Sequence, residues 1–253
     1  MKKESNVVLK TAVAAVFGLS MAGSAQAVPF GDGGAALQGV LDGITVAPTP
    51  GSSSVNVTTD EIGDGIDSWW SITGAGGSVA SIIVELAAFA NGNELGVYDP
   101  TNPGSQVTVF SGAATAGSQA FLSIKVDGSV FVNNVDSGVD FNGNFFGYFL
   151  NVTNTGNKFY SDTNLNFDGL DHMAAYQGTN TDTIQVPTLA AGLWTNNEFV
   201  MGWEDLAAPV SDRDYTDMVL IVESVIPVPE PSILALLGLG MLGFVGSRRL
   251  NKA

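Results

Sequence analysis

The chain has 253 residues, of which 25 are acidic and 9 are basic, with one histidine and no cysteine. The lack of cysteine excludes a disulfide framework, a thiolate zinc site and a cysteine nucleophile, and His172 alone cannot build a multi-histidine metal centre. A hydrophobic content of 45% argues against disorder, while 31 glycines and a charged fraction of 13% are typical of turn-rich β structure.

The acidic character is concentrated in the middle of the chain. Between residues 28 and 226, three basic residues stand against 23 carboxylates. A surface with this balance repels phosphate backbones and attracts cations, so we expect no nucleic acid partner.

The N-terminus has the pattern of a secretory signal peptide. Lys2, Lys3 and Lys10 precede an apolar run over residues 11–21, and Ala25 and Ala27 supply the small residues of a cleavage site. The alternative, a membrane helix that is retained, fits less well because the apolar run is short. We therefore predict a signal helix in residues 1–27, export through the Sec translocon and cleavage by signal peptidase.

The central region, residues 28–226, is predicted to be one all-β ectodomain, a β-sandwich of jelly-roll type. Short apolar or alternating runs bounded by Gly, Asn, Asp and Pro support this prediction. Leu122, Ile124 and Val126 are expected on the inner face of one strand, and Asp127-Gly128 is expected to turn into the next strand. The predicted strands are Val79–Ala90, Val107–Phe110, Phe121–Val126, Ser129–Val132, Phe145–Val152, Thr183–Val186, Phe199–Trp203 and Met218–Val225.

The densest chemical signal lies near the end of this region, where five carboxylates fall within 14 positions. Clustered carboxylates repel one another unless a hard cation joins them, and Ca²⁺ takes six to eight oxygen ligands of this kind. The predicted Ca²⁺ ligands are Glu204, Asp205, Asp212, Asp214 and Asp217. The alternative is a metal-free loop in which Arg213 and backbone amides satisfy the carboxylates.

The segment is not an EF-hand, although some spacings agree. Asp212, Asp214, Thr216 and Glu223 occupy EF-hand positions one, three, five and twelve, but Asp217 stands where glycine is required. The residues that follow are predicted to form a strand and not a helix. Calcium binding would therefore need a different loop.

The C-terminus, residues 227–253, combines a Pro229-Glu230-Pro231 tripeptide, an apolar run over residues 233–245 and a basic end with Arg248 and Arg249. Thirteen apolar residues span roughly 20 Å as a helix, short of the roughly 30 Å hydrocarbon core, so the run is a marginal membrane segment. The trailing arginine pair fits a membrane helix with a cytoplasmic basic end better than a buried core helix, and we therefore predict a short membrane helix.

This order of features resembles the PEP-CTERM sorting signal of Gram-negative bacteria. The resemblance implies recognition by an exosortase-type transpeptidase near the tripeptide, with an intermediate anchored in the inner membrane. It also implies a final location at the cell surface or in an exopolysaccharide matrix.

A second resemblance covers residues of about 79–225. The segments Asn93–Asp99, Phe159–Asp162 and Asp171-His172, together with the block from Trp203 to Asp217, are similar to a bacterial extracellular domain of unknown function. That domain often precedes PEP-CTERM anchors and occurs in calcium-dependent adhesins. The resemblance implies a secreted β domain associated with calcium, and it implies no reaction.

We therefore expect a non-enzymatic, calcium-binding protein of the cell envelope or biofilm matrix. His172 is expected to donate to a neighbouring carboxylate or turn, and no Gly-x-Ser-x-Gly motif indicates an esterase. The alternative is a polysaccharide-binding or polysaccharide-modifying protein similar to glycoside hydrolases, since β-sandwiches can present two carboxylates to a sugar. A further possibility is a structural subunit that self-associates through sheet edges or calcium bridges.

Overall fold

A computed structural model describes residues 30–73, 77–84 and 90–229. The predicted signal helix and the predicted C-terminal membrane helix both lie outside the described residues. Across the described ranges, none of the helices combines the length and apolar character that a bilayer crossing requires. Strands dominate over helices, which confirms the all-β class, while the jelly-roll sandwich stays a prediction.

The elements alternate short strands with tight turns, preceded by one helix. In chain order they are α1 (Ala35–Ile44), β1 (Thr45–Ala47), β2 (Glu61–Ile62), α2 (Asp64–Asp67), β3 (Trp70–Ile72), β4 (Ser78–Val84), a 3₁₀ turn (Ala90–Gly92), β5 (Asn93–Asp99), β6 (Asn102–Phe110), β7 (Gln119–Ile124), β8 (Ser129–Val132), β9 (Val135–Asp140), β10 (Phe145–Val152), β11 (Asn157–Tyr160), a 3₁₀ turn (Thr163–Leu165), β12 (Met173–Gln177), β13 (Thr183–Ile184), β14 (Gly192–Leu193), β15 (Glu198–Trp203), β16 (Met218–Glu223) and β17 (Val225–Pro227).

The strands form three antiparallel sheets. The largest has eight strands in the order β2-β12-β15-β16-β4-β7-β8-β9, and a six-stranded sheet runs β17-β3-β10-β5-β6 with β11 paired to β10. A small sheet joins β1, β13 and β14. The two-residue strand β2 forms one edge of the eight-stranded sheet, next to β12.

The main hydrophobic core draws on both large sheets. Val97 of β5 and Phe146 of β10 belong to the same buried cluster as Met201 of β15 and Leu220 of β16. Burial of this apolar surface is the main favourable contribution to folding.

Helix α1 covers the other face of the eight-stranded sheet. Its apolar side chains Leu37 and Leu41, four positions apart, pack with Tyr176 of β12 and Val200 of β15. The helix start is fixed by Asp32, whose carboxylate accepts hydrogen bonds from the amides of residues 34 and 36 at 2.7 and 2.6 Å. Strands β12, β15 and β16 are therefore buried on both faces.

Most predicted strands are confirmed, with corrections to their bounds. The strand predicted over Val79–Ala90 is present as β4 up to Val84, residues 85–89 lie outside the described ranges, and Ala90 begins a 3₁₀ turn. The strand predicted over Thr183–Val186 ends at Ile184.

The hairpin of β7 and β8 is present, but β7 ends at Ile124 and Val126 is fully exposed in the turn, so its predicted inward orientation is wrong. The run predicted as one strand up to Val225 is split at Ser224, which has a φ of 60°. The chain changes sheets there, because β16 lies in the eight-stranded sheet and β17 in the six-stranded sheet.

A test of the packing uses Gly147 in β10. A Cβ atom at this position would lie 2.3 Å from the ring of Tyr98 on the paired strand β5. We expect Gly147→Ala to lower the free energy of unfolding by about 1–3 kcal/mol, measured by chemical denaturation of the full chain.

The matched control is Gly39→Ala in α1, where an added Cβ meets nothing within 4 Å. Alanine loses less backbone entropy than glycine when a helix forms, so Gly39→Ala should raise the free energy of unfolding by up to about 1 kcal/mol. Equal stability of Gly147→Ala and the wild type would contradict the close approach of β5 and β10.

Candidate metal centre

The loop between β15 and β16, residues 204–217, contains all five predicted metal ligands. The two strands pair so that Trp203 lies opposite Met218. The residues that follow one strand and precede the other, Glu204 and Asp217, are therefore neighbours at the same end of the sheet. The amide of Asp205 closes this end by donating to the Asp217 carboxylate at 2.7 Å.

The loop approaches the sheet closely at Gly202, where only a residue without a side chain fits. A Cβ atom there would lie 2.5 Å from the carbonyl oxygen of Tyr215. Two loop residues, Arg213 and Tyr215, both have a φ of 56°, in the left-handed region that is costly for side chains with a Cβ. Asp214, between them, accepts hydrogen bonds from the amide and hydroxyl of Thr216 at 2.8 and 2.9 Å.

Three of the five predicted ligands converge. One carboxylate oxygen each from Glu204, Asp214 and Asp217 lies within 4.8 Å of the other two. We call these three residues the loop cluster. Glu204 is 1% exposed; its Oε1 accepts from the amide of Leu206 at 3.1 Å, while its Oε2 is buried without a hydrogen-bond partner.

The other two predicted ligands lie outside this group of three. The side chain of Asp205 is buried and accepts a hydrogen bond from Asn93 Nδ2 at 2.9 Å, which ties the loop to β5 of the six-stranded sheet. Asp212 is exposed to solvent. The side chain of Thr216 hydrogen-bonds to Asp214.

The electrostatics of the loop cluster favour neutralisation of its negative charge. Burial, together with the charge of Asp212, raises the pKa of Glu204 to about 7, although the amides of Leu206 and Arg213 and the Ser211 hydroxyl act in the opposite direction. Burial, followed by the charges of Asp205 and Glu204, raises the pKa of Asp217 to about 8. A proton or a bound cation would relieve the same repulsion.

The histidine supports the loop in the way the sequence predicts, by bonding to neighbouring acceptors. His172 Nδ1 donates to the carbonyl oxygen of Glu204 at 3.0 Å, and Nε2 lies 3.1 Å from the Asp168 carboxylate. The amide of Glu204 donates in turn to the carbonyl oxygen of His172 at 3.0 Å. The imidazole ring also stacks on Phe159, with 3.7 Å between ring centroids.

A buried tyrosine extends the loop towards a second group of carboxylates that the sequence did not reveal. Tyr215 is 1% exposed, and its hydroxyl donates to the carbonyl oxygen of Asp171 at 2.9 Å. Carboxylate oxygens of Asp171, Glu61 and Asp64 lie within 4.8 Å of one another. Glu61 and Asp64 are over 100 positions from Asp171, so no local motif could have brought the three together.

The predicted sorting residues lie at or outside the limits of the described ranges. Pro229 is the last described residue, and the others lie outside the described ranges: Ala25, Ala27, Glu230, Pro231, Arg248 and Arg249.

The raised carboxyl pKa values predict how stability depends on pH without divalent cations. A carboxyl whose pKa rises on folding stays protonated to a higher pH in the folded chain than in the unfolded chain. Stability therefore falls as the pH rises from the unfolded pKa to the folded pKa. Burial lowers the pKa of His172, so this residue contributes a slope of the opposite sign, which fades as the pH rises above the unfolded value of about 6.5. We expect the melting temperature of the full chain in EDTA to fall between pH 7 and pH 8.

Asp217→Asn should flatten this dependence, because it removes the carboxyl with a pKa of about 8. Asp140→Asn, which changes an exposed carboxylate of β9, should leave it intact. Thermal melts followed by circular dichroism provide the measurement, and a wild-type melting temperature that rises from pH 7 to pH 8 would refute the assignment.

Comparison with known families places this loop inside a recognised domain. Residues 134–225 match the model of a domain of unknown function, DUF4114. This match is shorter than the predicted range of about 79–225. Residues 227–249 match the PEP-CTERM protein-sorting motif. No curated protein and no solved structure matches the chain. Both predicted resemblances are confirmed, and the sorting motif indicates an exported protein handled by exosortase-type machinery of Gram-negative bacteria.

Proposed function

We propose that this exported protein binds Ca²⁺ through the loop cluster and acts without catalysis in the cell envelope or the exopolysaccharide matrix. The observation that carries the proposal is the convergence of three carboxylates around the buried, unpartnered Oε2 of Glu204. Three carboxylates can supply up to six oxygen atoms, and Ca²⁺ accepts six to eight at flexible geometry.

The rest of the loop supports a structural role for the ion. Glu204 follows β15 and Asp217 precedes β16, so an ion held between them would hold the two ends of a 14-residue loop together. Left-handed backbone at Arg213 and Tyr215 costs conformational energy, which ligand binding would offset. We expect the ion to stabilise a sandwich-type ectodomain whose acidic surface faces the matrix.

The test is a calcium titration of the full chain by calorimetry, with a thermal melt in parallel. Asp217→Asn should lower the stoichiometry by one Ca²⁺ per chain relative to the wild type. At a calcium concentration of about 100 times the dissociation constant, one site adds about 2.7 kcal/mol to stability, and the variant should lack this gain.

Asp140→Asn is the matched control, because it removes one exposed carboxylate outside the loop cluster. It should keep the wild-type stoichiometry and the wild-type gain in melting temperature. Identical binding by Asp217→Asn and the wild type would show that the loop cluster holds no calcium.

A second candidate function, modification of a polysaccharide, is favoured by one specific observation. Glu198 of β15 and Glu223 of β16 lie directly opposite each other and line a cavity of about 300 Å³. Burial and the charge of Glu198 raise the pKa of Glu223, and two carboxylates at a cleft are the groups that glycoside hydrolases use.

The indole rings do not favour this alternative. Three of the four tryptophans, Trp70, Trp194 and Trp203, are completely buried, and no tryptophan lines the cavity. Hydrolysis of purified exopolysaccharide by the full chain, lost in both Glu198→Gln and Glu223→Gln, would establish the enzyme. Intact polysaccharide after prolonged incubation would remove it.

A further inference from the structure

A second acidic cluster lies beside the two-residue strand β2. Glu61 belongs to β2, Asp64 begins α2, and Asp171 lies two residues before β12. One carboxylate oxygen from each lies within 4.8 Å of the other two. We call these three residues the edge cluster.

The most buried member of the edge cluster points to a ligand. Asp171 is 9% exposed, and its Oδ1 accepts a hydrogen bond from the amide of Met173 at 3.0 Å. Its Oδ2 is buried with no hydrogen-bond partner, and so is Oδ1 of Asp64. A buried carboxylate oxygen without a hydrogen-bond donor has lost its contacts with water and gained none in exchange, which lowers the stability of the folded state.

Two of the three lysine and arginine residues in the described part of the chain are engaged with aromatic rings. Lys125 lies over the ring of Phe131 at 3.7 Å, and Lys158 lies over the ring of Phe149 at 4.5 Å. Burial raises the pKa of the Asp171 carboxyl, and the negative charges of Asp67 and Asp64 raise it further.

We propose that Glu61, Asp64 and Asp171 form a second site for a divalent cation, with calcium as the ion expected outside the cell, separate from the loop cluster. The donor set is entirely carboxylate oxygen, which suits a hard cation. The ion would compensate three converging negative charges and supply the missing partner of Asp171 Oδ2.

The position of the edge cluster defines what the ion would do. Strand β2 is paired to β12 through only two residue pairs, Ile62 with Ala175 and Glu61 with Tyr176. Beyond them, Thr163 Oγ1 donates to the Asp64 carboxylate at 3.3 Å. A cation between Asp171 and the two earlier carboxylates would fasten residues 61–64 to the start of β12. It would so attach a segment that precedes the DUF4114 match to the matched domain.

The test combines stoichiometry with local protection, using the full chain and CaCl₂. Calorimetry should find one Ca²⁺ fewer per chain in Asp171→Asn than in the wild type, and two fewer in Asp171→Asn/Asp217→Asn. Hydrogen exchange of the amides of residues 61–67 should slow by about 100-fold in wild type at a calcium concentration of roughly 100 times the dissociation constant. Asp217→Asn should retain this slowing and Asp171→Asn should lose it.

The two calcium proposals fail separately in this experiment. Wild-type stoichiometry in Asp171→Asn, or exchange of residues 61–67 that calcium does not change, overturns the edge site whatever happens at the loop cluster. If Asp171→Asn does not fold, Glu61→Gln replaces it with the same expected losses, and full binding by that variant overturns the proposal equally.

Discussion

The constraint on which the rest of this structure depends is the concentration of buried negative charge at one end of strands β12, β15 and β16. Glu204 and Asp205 follow β15, Asp217 precedes β16, and Asp171 precedes β12. All four therefore occur where the ends of neighbouring strands meet. Taking carboxylates out of water at such close range is unfavourable unless protons, amide donors or cations compensate them.

The chain meets this constraint in different ways at different residues. Asp205 has an amide partner on the opposite sheet, Asn93, and Asp168 has His172. Glu204 and Asp171 each keep one buried oxygen without any donor. Asp205 and Asp168 are compensated by protein groups and anchor the fold. Glu204 and Asp171 are the residues whose buried oxygens a bound ion would compensate.

The sequence predicted strands well where one face of the strand differs from the other, or where aromatic residues dominate, as in β8 and β10. It did not reveal β12, because Met173, Ala174, Ala175 and Tyr176 are all buried, on two faces of one sheet, and produce no alternation. Helix α1 was missed because two glycines lower its intrinsic propensity, and the stability comes from burial of Leu37 and Leu41.

The same reasoning explains the candidate sites. The loop cluster was predictable because its carboxylates are close in sequence, although only the backbone geometry decides that Asp214 converges with Glu204 and Asp217 while Asp212 stays exposed. The edge cluster joins residues from distant parts of the chain, and strand pairing between β2 and β12 is what brings them together. No spacing in a single sequence contains that information.

Tyr215 gives the two clusters a physical connection. Its backbone lies between Asp214 and Thr216 in the loop, and its hydroxyl holds the carbonyl oxygen of Asp171 next to the edge cluster. Because the Tyr215 side chain is buried, a shift of the loop backbone at this residue would also shift the hydroxyl that is hydrogen-bonded to Asp171. Thermodynamic reciprocity then requires that whatever free energy one occupied cluster contributes to the affinity of the second, the second contributes equally to the first.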